Sequence, residues 1–232
     1  MWSDVFLHED PYSGEKFAIV VMDTQGLFDN KASGQEGLKI FALSTLLSSF
    51  LALNLNDVIQ ENQLDYLQTA TNYGRLVYEI SGTAGKAADK PFQSLLFLIR
   101  DWMNENEFPY GLRGGTEYVK KFLTFNEDDE EQSQSLREVR EHIHETFEDI
   151  YGYLMPHPGL KMAKDTNFTG NWGKLEPEFV EHLKLLIEWM MKPENLKAKI
   201  IFGMELTGRT YHGYIKAFCD AFQSPEIPST TS

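Results

Sequence analysis

Two continuous apolar runs most constrain the fold: Phe17-Ala18-Ile19-Val20-Val21-Met22 and Ser94-Leu95-Leu96-Phe97-Leu98-Ile99, each followed at once by ionisable residues. A run without polar alternation reads as a strand buried on both faces, as in a parallel sheet covered by helices. The turn-like Pro11-Tyr12-Ser13-Gly14 precedes the first run. A third candidate strand, Tyr151-Gly152-Tyr153-Leu154-Met155, is stopped by Pro156. Between and after these strands lie helical periods. Leu43, Leu46, Leu47, Phe50 and Leu51 make one face, and residues 64–80 form a second helical stretch. Leu136, Val139, Ile143, Phe147 and Ile150 make another, followed by Phe179, Leu183, Leu186, Ile187 and Met190, and by Tyr214, Ile215, Phe218 and Phe222. Buried strands alternating with helices predict an α/β fold, a doubly wound, mostly parallel sheet flanked by helices.

At 232 residues the chain is long enough to bury a sizeable core, and 42% hydrophobic against 24% charged residues predicts a folded protein. A formal net charge of −14 argues against a general nucleic-acid binder, which needs clustered Lys and Arg. It leaves nucleotides open, because backbone N–H groups and Mg²⁺ hold phosphates locally. Cys219 is the only cysteine, so no disulfide forms within the chain and a multi-thiolate zinc site is excluded; a reducing, cytosol-facing compartment is expected. No uninterrupted apolar stretch of about 18 residues occurs, so no membrane segment is expected, and the residues after Met1 have no signal-peptide pattern. The acidic run 126–131 and Asn167-Phe168-Thr169 read as surface loops.

The chemistry-bearing residues follow the strands. Asp23-Thr24-Gln25-Gly26 follows the first run, and ligands of open α/β sheets sit at the carboxyl ends of strands. An Asp there can hold Mg²⁺ and a nearby Gly lets backbone approach a phosphate, although an ordinary turn has the same composition. Arg100-Asp101 ends the second run. A carboxylate in that position could accept hydrogen bonds from N1–H and the exocyclic amino group of guanine; a surface ion pair is the alternative. His142 and His144 are two apart, point in different directions on a helix and read as surface residues.

The order of further motifs makes a resemblance specific. Trp2-Ser3, Asp23-Thr24-Gln25-Gly26, Tyr73-Gly74-Arg75-Leu76, Lys90-Pro91-Phe92-Gln93, Arg100-Asp101-Trp102 and Pro156-His157-Pro158-Gly159 occur in the order found in atlastin G domains. The chain resembles that family, within the wider group that includes the guanylate-binding proteins. The resemblance implies a P-loop NTPase G domain that binds GTP or GDP with Mg²⁺. It implies Asp23 as the Mg²⁺ carboxylate, Gln25 and Gly26 facing the phosphates, and Arg100 and Asp101 reading guanine. Met162 and Asp165 would contact the base from the segment after Gly159, with Asp165 replacing an expected Asn. The implied partners are guanine nucleotide and, in the full-length family, a second G domain; the implied location is the cytosolic face of the endoplasmic reticulum membrane, and the implied process membrane fusion.

The 232 residues contain no Gly-x-x-x-x-Gly-Lys followed by Ser or Thr. Gly82-Thr83-Ala84-Gly85-Lys86 and Gly170-Asn171-Trp172-Gly173-Lys174 each have only two residues between their glycines. In the family the P-loop, a catalytic arginine and the switch I threonine precede the matched region. Residues 1–224 are therefore expected to be a partial G domain truncated at its N-terminus, 225–232 a linker, and the chain inactive by itself. The alternative is a non-enzymatic pseudo-GTPase module acting through G-domain contacts. A two-metal phosphohydrolase is disfavoured, because no His/Asp cluster of suitable spacing accompanies Asp23.

Overall fold

A strand as uninterruptedly apolar as 94–99 needs cover on both faces. The computed structural model describes residues 4–9, 14–24, 34–81, 90–124, 134–163 and 167–223. In chain order the elements are β1 (Phe6–Glu9), β2 (Lys16–Ile19), α1 (Gly34–Leu47), β3 (Phe50–Asn56), α2 (Glu61–Ser81), β4 (Phe92–Arg100), α3 (Gly111–Leu123), α4 (Gln134–Thr146), β5 (Phe147–Leu154), α5 (Leu160–Ala163), α6 (Pro177–Met190), β6 (Ile200–Ile201), β7 (Met204–Glu205) and α7 (Gly208–Gln223). β4 is the middle of a three-stranded sheet ordered β3-β4-β5. Both pairings are parallel, with Leu53 opposite Phe97 and Phe97 opposite Gly152. Parallel neighbours need crossovers, and α2 and the α3–α4 pair supply them.

Successive β4 side chains go to opposite cores. Leu95, Phe97 and Ile99 join the larger core with Phe41 and Leu46 of α1, Leu64 and Leu67 of α2, Val139 and Ile143 of α4 and Phe218 of α7. Leu96 joins the second core with Leu186, and Leu98, Phe179, Leu183 and Trp189 pack around it. The expected α/β fold, a parallel sheet flanked by helices, is what the structure has.

Two expected helical faces cross element boundaries. Helix α1 stops at Leu47, and Phe50 and Leu51 open β3. The segment Phe50-Leu51-Ala52-Leu53-Asn54-Leu55-Asn56 alternates, with Leu51, Leu53 and Leu55 buried and Ala52, Asn54 and Asn56 exposed. That period of two prevails over a helical spacing which Leu43 to Leu51 satisfy only across the break. Likewise Phe147 and Ile150 belong to β5, not to α4. Helix α3, which follows Phe108-Pro109-Tyr110, has no counterpart among the expected helical faces; its apolar positions are interrupted by Gly111, Gly114 and Gly115.

The first apolar run departs further. β2 pairs with β1, antiparallel, with Phe6 opposite Ile19, and among the described residues it has no place in the parallel sheet. Its side chains alternate between exposed and half-buried rather than being buried on both faces. Leu7 of β1 is 85% exposed. Only the end of the run reaches the main core, through Met22, whose Sδ accepts from the Tyr211 hydroxyl at 3.8 Å.

Glycines set the fit of α3 on β5. A Cβ on Gly115 would lie 2.4 Å from the carbonyl carbon of Gly152, and one on Gly152 would lie 2.1 Å from the Gly115 oxygen. Backbone meets backbone there, and Thr116 Oγ1 bonds both the amide and the carbonyl of Gly152, each at 3.3 Å. At the opposite, amino end of the sheet, the segment before β6 is tied to all three strands. The Lys197 ammonium pairs with Asp149 of β5, and the Gln93 amide of β4 bonds Ala198 O at 2.8 Å and the Ile200 amide at 3.0 Å. Lys199 Nζ donates to Ser48 O, just before β3, at 2.8 Å.

Candidate functional site

The carboxyl ends of β3, β4 and β5 lie side by side, because Asn56 is opposite Arg100 and Ile99 opposite Leu154. Each strand ends in a polar turn: Asn56-Asp57, Arg100-Asp101, and Pro156-His157-Pro158-Gly159 after Met155. Arg100 is exposed and Asp101 half-buried. Asp101 has φ 58° and Asp57 has φ 65°. Asp and Asn adopt this left-handed region more readily than other side chains, and residues held there cluster at functional sites.

Backbone bonds lock the three turns together. The Asp57 amide donates to Arg100 O at 2.8 Å, the Met155 amide to Ile99 O at 2.8 Å, and the Trp102 amide to Met155 O at 3.1 Å. Trp102, next to Asp101, is 2% exposed. Its indole N–H donates to Phe108 O at 3.0 Å, and the Tyr110 hydroxyl donates to its carbonyl at 3.3 Å. An anchor this buried fixes the backbone that carries Asp101.

The β5 turn is also built. His157 Nδ1 accepts from the Gly159 amide at 2.9 Å, which requires that nitrogen to be unprotonated. Gly159 has φ 114°, and a Cβ there would meet the Glu176 side chain at 3.1 Å. The Glu176 amide in turn donates to Pro158 O at 3.0 Å. Helix α5 follows, with Met162 half-buried. Arg100, Asp101 and the segment leading to Met162 are thus brought to one end of the sheet.

Asp23 is exposed beyond β2. β4 has β3 and β5 as its hydrogen-bonded neighbours, so Asp23 and Asp101 do not sit on adjacent strand tips. Gln25, Gly26, Asp165, the 82–86 loop, the acidic run 126–131 and residues 225–232 lie outside the described residues. The second glycine-lysine near miss is a 3-10 turn, Trp172–Lys174, which follows no strand. His142 is half-buried and not a surface residue: its Nε2 lies 2.8 Å from Thr71 Oγ1, and burial, followed by Arg75, holds its pKa below the ordinary value. Sequence reasoning missed Asn56-Asp57. The period-two alternation of 50–56 ending in Asn-Asp was the available signal.

These strand-end turns on a parallel sheet flanked by helices fit a P-loop-type G domain. The sequence family described as guanylate-binding protein, N-terminal domain, matches residues 1–200, and the chain belongs to it. Within that class it is similar to the atlastins. It is 42% identical to atlastin-1 of Macaca fascicularis over 232 residues, 100% of this chain and 40% of that protein. Atlastin-2 of Xenopus laevis is 41% identical, with 100% of this chain and 39% of that protein covered. For atlastin-2 of Homo sapiens the figures are 39%, 100% and 38%. The chain therefore spans about two fifths of the length of these relatives. Among the described residues no helix is long and apolar enough to cross a membrane.

Proposed function

We propose that this chain is the guanine-reading portion of a GTP-binding and GTP-hydrolysing domain of the atlastin type. The observation that carries the proposal is the half-buried Asp101 carboxylate at the carboxyl end of the central strand, fixed by the bonds of Trp102 and Asp57. A carboxylate there accepts from guanine N1–H and the exocyclic amino group. Adenine presents an acceptor in place of N1–H and has no such amino group, so a positioned Asp101 discriminates strongly. Arg100 is assigned to the same edge, and Met162 and Asp165 to contacts with the base, by the resemblance.

For Mg²⁺ the donor type fits: Asp23 is an exposed carboxylate, the kind of oxygen ligand this ion takes with waters and substrate phosphates. Bound there, Mg²⁺ would neutralise phosphate charge during phosphoryl transfer. Gln25 and Gly26 are assigned to the phosphate side. The parent role, nucleotide-dependent pairing of G domains at the endoplasmic reticulum membrane and membrane fusion, comes from the resemblance to atlastins.

Within these 232 residues no phosphate-cradling Gly-x-x-x-x-Gly-Lys exists. The second reading is a non-enzymatic module that docks on a complete G domain and suppresses its turnover. Calorimetric titration of the chain with GTP and Mg²⁺ is expected to show binding weaker than micromolar and no turnover, with GTP outcompeting ATP. Asp101→Asn should abolish that preference. Equal competition by ATP in the unmutated chain would overturn the guanine assignment, and micromolar binding with turnover would overturn inactivity.

A further inference from the structure

The turns after β3 and β4 are joined from below by a side chain that neither turn contains. Tyr118 of α3 is half-buried, and its hydroxyl accepts from the Ile59 amide at 3.3 Å. Ile59 is 4% exposed and follows directly on the Asp57 turn, in which the Val58 amide returns to Asn56 O at 2.8 Å. A turn closed by an i to i+2 bond about a residue at positive φ is a rare and strained form, so it persists only where its surroundings hold it. The Tyr118 ring packs on Trp102 at 4.9 Å between centroids and on Phe108 at 5.5 Å, edge to face. Phe108 O is the carbonyl that receives the Trp102 indole N–H. One side chain therefore holds the β3 turn through its hydroxyl and the β4 turn through its ring. Burial raises the Tyr118 phenol above its ordinary pKa, the Ile59 bond opposes this, and Glu107 and Asp57 add to it, so the hydroxyl stays protonated at neutral pH.

We propose that Tyr118 is a positioning residue for guanine selection: by pinning the Asp57–Ile59 turn against Trp102 it fixes where the Arg100-Asp101 backbone lies. The link runs through the bond from the Asp57 amide, in the turn at positive φ, to Arg100 O. The proposal rests on the reading of Asp101 as the guanine acceptor, and it makes selectivity depend on a hydroxyl housed in α3.

Tyr118→Phe in the full 232-residue chain tests it, because the ring stack is kept and one hydrogen bond is lost. Two readouts are needed. The first is residue-resolved amide exchange without nucleotide: the amides of Asp57 and Ile59 and of Trp102 should exchange about five- to tenfold faster, the worth of one ordinary hydrogen bond, while Leu96 and Phe97 stay unchanged. The second is the affinity ratio for GTP over ITP, which lacks the exocyclic amino group and so reports how well Asp101 is placed. That ratio should fall toward one in the variant, whereas a merely structural role would lower the melting temperature and leave it alone. Unchanged exchange at Asp57, Ile59 and Trp102, or an unchanged ratio in a chain that prefers GTP, overturns the proposal. If the unmutated chain does not prefer GTP over ITP, the guanine reading fails, and the exchange experiment by itself decides whether Tyr118 pins the two turns.

Discussion

Gly115→Ala should be among the most damaging single-methyl changes in this chain. The added Cβ would stand 2.4 Å from the Gly152 carbonyl carbon, 2.5 Å from its oxygen and 2.5 Å from the Tyr153 amide nitrogen, all backbone atoms of β5. Ordinary van der Waals contact begins at 3.4 Å, so α3 must retreat by roughly 1 Å or β5 must buckle. Either response stretches both bonds between Thr116 and Gly152, which already measure 3.3 Å, and loosens Val119 and Leu123 in the main core. Overpacking of this kind costs about 1–3 kcal/mol, and weakening two partly buried hydrogen bonds adds about 1, for a total of about 2–4 kcal/mol. Gly213→Ala is the internal control: Gly213 lies in α7 and is exposed, and a methyl added there would meet no atom within 4 Å. That change should stabilise by about 0.5–1 kcal/mol through helix propensity alone. Urea denaturation followed by far-ultraviolet circular dichroism reads both, with the slope unchanged and the midpoints moving in opposite directions. A Gly115→Ala protein within about 0.5 kcal/mol of the parent, below the range expected of overpacking, would refute the close-approach reasoning.

Two further outcomes concern buried charges. Arg140→Ala should cost about 3 kcal/mol in the same denaturation experiment, because the nearly buried guanidinium bonds Phe122 O and Leu136 O, each at 2.9 Å, and pairs with Glu61, tying α4 to α2 and α3. The figure is at the low end for a broken buried pair, since Glu61 is 40% exposed and regains water. Burial lowers the Lys199 pKa from 10.5 to about 8, with Glu148 opposing, so between those values the unfolded chain binds the extra proton and stability rises with pH. Relative to Lys199→Met, the parent should gain about 2 kcal/mol between about pH 7 and 9.5. A flat difference across that range would show that the amine is not desolvated.

Part of the fold was legible in the sequence because local spacing records local geometry. The run after Ser94, Leu95 to Ile99, announced the central strand, since only a strand covered on both faces needs every residue apolar. Arg100-Asp101 announced the candidate base site, since open α/β sheets place ligands at such strand ends. Misreadings arose where a spacing rule was satisfied by accident across a boundary. Leu43, Leu46 and Leu47 belong to a helix and Phe50 and Leu51 to a strand, yet together they mimic one helical face. Glycine-rich α3 escaped notice because its fit is made by absent side chains: Gly115 against Gly152 leaves no apolar signal.

The sequence by itself determined which stretches must leave water, which of them are strands with ionisable ends, and which family the motif order resembles. Only the tertiary structure decided the partners. It paired β2 with β1 instead of with the parallel sheet, set Asn56-Asp57 beside Arg100-Asp101, and put the Tyr118 hydroxyl under an amide 59 residues away in sequence. Periodicity is a property of neighbouring residues and survives in any window of the chain. Pairing between distant segments is settled by the free energy of the whole assembled sheet and its cover, which no window contains.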